Sequence, residues 1–127
     1  MKLYYSPGAC SLAPHIVLRE ADRRFDLERV DLQTKLTASG RDFLEINPKG
    51  YVPCLELEGG ETVTEAQVIL QFVADLVPAQ RLIPLAGTLA RYHVQELLAF
   101  ISTELHKQFG PLFQPKTPQA TQSMCRL

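Results

Sequence analysis

A chain of 127 residues has room for one compact domain but not for two full ones. Its hydrophobic content of 46% is that of a soluble globular protein, and a net charge of −1, from 13 basic against 14 acidic residues, lacks the basic excess that nucleic acid or an anionic membrane would select. No apolar run approaches a membrane span, the N-terminus lacks a signal-peptide core, and Cys10, Cys54 and Cys125 are too scattered for a disulfide framework or a metal site. The chain therefore reads as cytoplasmic, with reduced thiols and no metal.

Lys2 to Tyr5 is a short strand-like run stopped by the turn signal Ser6-Pro7-Gly8. A helix should follow, with Leu12, Ala13, Ile16, Val17 and Ala21 on its apolar side and Pro14 in its first turn, where a missing N–H costs little. From Phe25 to Leu32, apolar Phe25, Leu27, Val30 and Leu32 interleave with Asp26, Glu28, Arg29 and Asp31, predicting a second strand with an irregularity at Glu28-Arg29. A polar loop over 33–40 leads to one or two helical turns over 41–46, ended by Asn47-Pro48-Lys49-Gly50. Strands over 54–58 and 61–64 are joined by Gly59-Gly60 as a two-residue hairpin turn, which makes them antiparallel. A helix over 65–77 opens with Thr64 at the cap and Gln67 three residues on, in a capping-box pattern, and Pro78 stops it.

Residues 78–87 read as a linker, after which Thr88 can cap a long helix. Val94, Leu97, Leu98, Ile101, Leu105 and Phe109 form its apolar stripe, and Gly110-Pro111 ends it. Residues 114–127 are polar and without period, and little regular structure is expected there. The order strand, helix, strand, short helix, two strands, helix is that of an α/β, thioredoxin-like domain over 1–77 (βαβ-α-ββα) with a mixed four-stranded sheet. The region 88–113 is separate and all-α.

Cys10 sits between a strand end and a helix start, where unpaired N–H groups stabilise a thiolate and lower its pKa. It is either a small residue in a turn or a reactive thiol. Ser11 and Tyr5 can each bring a hydroxyl to a sulfur there, although a helix cap and a packed strand tyrosine are the plainer roles. Val52-Pro53 precedes a strand, a position proline tolerates. At Thr64-Glu65-Ala66 the helix start can receive a carboxylate and Glu65 an ammonium group, unless Glu65 is only a favourable first-turn acid. Lys35 is by itself a solvated lysine. Thr103 and His106 share a helix face with Ala99, and a lone histidine there is more often structural than functional.

Several separate stretches resemble bacterial beta-class glutathione transferases. They are the opening from Met1 to His15, the run Asn47-Pro48-Lys49-Gly50-Tyr51-Val52-Pro53-Cys54-Leu55 with Leu57, the pair Thr64-Glu65, and Ser102-Thr103-Glu104-Leu105-His106-Lys107. The resemblance covers Met1 to about Phe113. It implies a glutathione-binding domain joined to a helical domain truncated after its first long helix, 88–113, with activity impaired accordingly. It implies that Cys10 faces the glutathione sulfur, that Lys35, Glu65 and Ala66 hold the ends of the tripeptide, and that the Val52 backbone pairs with the cysteinyl part just before a cis Pro53. His106, flanked by Thr103 and Lys107, would approach the thiol from the helical domain. Ala66 departs from the small polar residue or glycine usual there, and Ala99 from a frequent asparagine.

The expected function is a glutathione transferase of detoxification type, with glutathione as co-substrate and Cys10, Ser11 and His106 as polar partners of its sulfur in attack on electrophilic small molecules. A homodimer is expected, with neither nucleic acid nor membrane as partner. Two other readings stand beside it. One is glutaredoxin-like thiol–disulfide exchange at Cys10, which has Ala13 and no second cysteine three residues on. The other is glutathione binding without catalysis.

Overall fold

In the computed structural model, which describes residues 1–113 and 117–124, strand β1 (Lys2–Tyr5) buries Leu3 on one face of the sheet and Tyr4 on the other. Helix α1 (Leu12–Glu20) returns the chain so that β2 (Asp26–Arg29) lies parallel to β1, Leu3 opposite Leu27 and Tyr4 opposite Glu28. A single turn, α2 (Phe43–Ile46), is capped by the Asp42 carboxylate, which accepts the Leu44 N–H at 2.8 Å. Strands β3 (Cys54–Glu56) and β4 (Thr62–Thr64) complete an antiparallel hairpin, and α3 (Ala66–Asp75) follows. The sheet order is β2-β1-β3-β4, with β1 and β3 antiparallel, so the sheet is mixed and thioredoxin-like.

Each face of this sheet is covered. Leu3 and Leu55 pack with Leu18 and Ala21 near the end of α1 and with Ile69 and Val73 of α3, whereas Tyr4 and Cys54 pack with Val30, Val52 and Phe43 on the other side. Two covered faces explain where simple alternation misplaces side chains. Glu28, expected outside, is buried beside Tyr4 at the edge of the second face, and Leu27, expected inside, is partly exposed on the edge strand. The Ser39 hydroxyl above all, with Lys2 Nζ at 3.0 Å and the Ser39 N–H, satisfies the Glu28 carboxylate and holds its pKa down at about 2 against the opposing effect of burial. On α1 the inward row is Pro14, Leu18 and Ala21, while Leu12 and Ile16 remain 59% and 50% exposed. The helix carries two apolar rows, and the sheet takes the one that follows Pro14.

The β3–β4 connection is longer than the expected Gly59-Gly60 turn. Gly60 N–H donates to Leu57 C=O and Leu57 N–H to Glu61 C=O, so Glu58, Gly59 and Gly60 form a three-residue loop with Gly60 at φ 83°. Helix α3 does not use the expected capping box. Its cap is Glu65, at φ 69° and ψ 118° and without a side-chain cap bond, because the chain leaves β4 through this residue and turns sharply into the helix.

A short tight turn at Pro78–Gln80 follows, and the chain divides into two compact units, Met1–Ile83 and Pro84–Leu127, inside the segment read as a linker. In the second unit Thr88 caps α4 (Leu89–Phe100), its hydroxyl oxygen accepting the Arg91 N–H at 3.2 Å. The expected single helix to Phe109 is interrupted. A widened π turn over Ile101–Leu105 passes into a tight 3₁₀ stretch, His106–Phe113, which continues through Gly110-Pro111. The Ser102 and Thr103 hydroxyls donate to the Leu98 and Ala99 carbonyls at 2.9 and 3.1 Å, a competition for backbone acceptors that bends helices. Much of the expected stripe, Leu97, Ile101, Leu105 and Phe109, is exposed. Within the segment expected to be irregular, Gln119–Met124 forms a short helix, α5. Gln, Ala and Met are good helix formers, and Pro118 is preset for a helix start, although six residues are too few to show a period.

Candidate functional site

The strand register places the chemistry-bearing residues together. Tyr4, Cys54 and Thr64 are successive partners across β1, β3 and β4, so the loop after Tyr5, the segment before Cys54 and the junction after Thr64 all leave the same end of the sheet. Cys10, Val52-Pro53 and Glu65-Ala66 lie on these three segments.

The loop from Ser6 to Ser11 is pinned from within. Ser11 is buried, and its hydroxyl donates to Ser6 C=O while accepting Ser6 N–H, both at 3.2 Å. The hydroxyl expected to face a sulfur is thus directed to the loop backbone, with no side-chain cap bond to α1. Cys10 is half-buried, and its thiol donates to Val52 C=O at 3.5 Å. Val52 is buried, and the Val52–Pro53 bond is cis.

Burial pushes the Cys10 thiol up, and the negative charge of Glu65 pushes the same way, while the residue's own backbone N–H acts against them. This corrects the lowered pKa expected at a helix start. The Leu12 and Ala13 N–H groups are already bonded to the Ala9 and Cys10 carbonyls, so the turn has few donors left for a thiolate. Cys54 is fully buried, and its thiol is pushed up to about 11 by burial and then by Glu56. Cys125 lies outside the described residues.

At the α3 junction the first-turn N–H groups of Ala66 and Gln67 have no carbonyl one turn back within the helix, which makes this end a place for an anion. Glu65 stands beside it, largely exposed, with Lys49 Nζ at 3.8 Å from its Oε1.

Lys35, in a left-handed conformation at φ 61°, is not simply solvated. Its ammonium group donates to Gly50 C=O at 2.9 Å and lies 5.6 Å from the Tyr51 ring centre. The turn that carries this acceptor is built by buried Asn47. Its Nδ2 donates to Tyr51 C=O at 2.8 Å, its Oδ1 accepts Lys49 N–H at 3.2 Å, and its backbone C=O accepts Gly50 N–H at 2.8 Å. In the sequence Asn47, Lys49 and Gly50 stand as a helix stop and as part of the family-like run, and they are not among the expected site residues. The available signal was the Asn side chain's habit of bonding the backbone two residues on.

Within the first unit Cys10 meets Val52 and feels the charge of Glu65, while Tyr5, Ser11, Lys35, Pro53 and Ala66 lie on neighbouring segments of the chain. Thr103, His106 and Lys107 belong to the second unit, His106 and Lys107 exposed at the start of the tight stretch and Thr103 bonded to Ala99 C=O. Among the described residues no cluster of His, Cys, Asp and Glu suits a metal ion, and no helix is long and apolar enough to cross a membrane.

Residues 8–76 match the family model described as glutathione S-transferase, N-terminal domain. The chain is 50% identical over 119 residues to glutathione S-transferase GstA of Escherichia coli O157:H7, covering 94% of this chain and 59% of that protein. It superposes with a TM-score of 0.96 and 49% identity on a bacterial beta-class glutathione S-transferase of Sphingomonas chungbukensis, covering 98% of this chain and 62% of the other. A sphingomonad glutathione S-transferase complexed with glutathione gives 0.94 and 49% over the same shares of 98% and 62%. The chain thus spans about three-fifths of the length of these relatives.

Proposed function

The chain belongs to the glutathione S-transferase N-terminal domain family, in its bacterial beta-class branch, and from that membership we propose that it binds glutathione and activates its thiol for attack on electrophilic small molecules. The observation that carries this reading is the convergence of the Cys10 thiol, the Val52 carbonyl and the Glu65-Ala66 helix start at one end of the sheet.

Each group has a chemical task in this reading. The Ala66 and Gln67 N–H groups receive the γ-glutamyl carboxylate and Glu65 its ammonium group. Val52 offers its backbone to the cysteinyl part, and Lys35 faces the glycyl carboxylate. The raised pKa of Cys10 keeps its proton at neutral pH, so Cys10 serves as a neutral donor to the glutathione sulfur. A donor that bonds the thiolate better than the thiol lowers the substrate's pKa. The thiolate then forms a C–S bond to the electrophilic carbon, and the leaving group departs with its electron pair. Ser11 supports this by holding the loop, and Tyr5 borders it at the strand end. His106, with Thr103 and Lys107 near it in the chain, carries the further polar role that the resemblance gives it. The proposal extends to a cytoplasmic homodimer. Leu85 and Leu89 in the second unit, 72% and 70% exposed, supply apolar surface of the kind that associates.

Glutaredoxin-like exchange needs Cys10 as a thiolate, and burial beside Glu65 works against that. Calorimetry with glutathione, an aryl-halide conjugation assay and a mixed-disulfide reduction assay separate the readings. Binding with conjugation supports the transferase, and reduction without conjugation replaces it.

A further inference from the structure

Two lysines meet at the turn 47–51 in opposite roles. Lys35 is tied to Gly50 C=O, and Lys49, the residue before Gly50, sends its ammonium group to the β4–α3 junction. There it lies 3.2 Å from the Thr64 hydroxyl oxygen and 3.8 Å from Glu65 Oε1, while Asn47 fixes its backbone.

Glutathione with its thiol protonated carries two carboxylates and one ammonium group. The two side chains assigned to its ends, Lys35 and Glu65, offer one positive and one negative charge. Adding Lys49 gives two positive and one negative, the complement of the ligand.

We propose that Lys49 is a further glutathione-binding residue, which holds Glu65 in the free protein and turns to the γ-glutamyl α-carboxylate in the complex. This rests on the glutathione reading above. The two partners are close enough for one lysine to serve both. An amino-acid head has its ammonium and carboxylate on one carbon, so an ammonium on Glu65 brings the carboxylate beside the Ala66 N–H and within the sweep of the Lys49 side chain. Glu65 has two oxygens, and the contact with Lys49 uses Oε1, so the incoming ammonium can take Oε2 before Lys49 leaves. Lys49 thereby distinguishes a full γ-glutamyl head from one that lacks its α-carboxylate.

The test uses the full chain, Lys49→Met and Lys49→Arg, with calorimetric titration of glutathione and of 4-aminobutanoyl-cysteinyl-glycine, which differs only in lacking that carboxylate. Lys49→Met should weaken glutathione binding about 3- to 5-fold, as expected for a partly exposed ion pair, and change binding of the analogue less than about 2-fold. Lys49→Arg should restore most of the glutathione affinity. Equal weakening for both ligands, or unchanged glutathione binding, overturns the role of Lys49 while leaving the glutathione site standing. No glutathione binding by the folded parent chain overturns both.

Discussion

Replacing Glu28 by Gln keeps the size of the side chain and much of its bonding to Ser39 but removes the charge that Lys2 and Ser39 surround. The Glu28 carboxyl has a folded-state pKa of about 2 against an ordinary 4.5, mainly through the Ser39 hydroxyl, with burial opposing and Lys2 assisting. A difference of that size corresponds to about 3 kcal/mol of stability from ionised Glu28, and Glu28→Gln should forfeit about 2–3 kcal/mol of it at pH 7. Because the folded pKa is depressed, this contribution is complete above pH 4.5, declines as pH falls toward about 2 and is absent below that. Urea unfolding followed by circular dichroism at pH 7, 5, 4, 3 and 2 should show the stabilities of parent and variant converging across that window. A constant difference from pH 7 to pH 2, or a variant as stable as the parent at pH 7, would refute the reasoning and leave Glu28 an ordinary edge-strand carboxylate.

Burial and the Glu65 charge together raise the Cys10 pKa, and Glu65→Gln removes that charge, so the pH profile of Cys10 alkylation by iodoacetamide should move to lower pH, and an unmoved profile would mean that burial alone sets the thiol. In the parent, peptide mapping after brief alkylation at pH 8 should find Cys10 labelled well ahead of Cys54, which is fully buried and pushed up to about 11; the opposite order would contradict the packing of β3. Gly50→Ala forces a Cβ into φ 66° and should cost about 1–2 kcal/mol in a urea melt. Its Cβ would also come 3.0 Å from Leu44 Cδ2, but Leu44 is exposed enough to swing aside, so Gly8→Ala, at φ 74° with nothing within 4 Å, should cost nearly as much. Leu55→Ala, emptying a fully buried position between α1 and α3, should destabilise by about 2–5 kcal/mol in the same assay, and a loss under 1 kcal/mol would deny it a central place in the core.

Element order as far as α4 and the mixed sheet were legible in the sequence, because strand and helix periods, proline stops and the Thr88 cap are local properties of the chain. Motif order carried the family resemblance for the same reason. What the sequence could not decide were choices between equally apolar or equally polar alternatives. Leu12 and Ile16 match Pro14, Leu18 and Ala21 as a helical row, and only the position of α1 against the sheet selects the second. Glu28 looks like an outward residue until a second covered face buries it and Lys2, 26 residues away in sequence, gives it a charged partner. The Cys10 pKa turned on the same kind of information. A strand-to-helix junction argues for a lowered value, but the junction's donors are spent on its own turn, and Glu65, 55 positions along the chain, adds its charge to the effect of burial. Desolvation and charge proximity depend on distance in space, and the sheet register and the α3 turn at Glu65 set that distance.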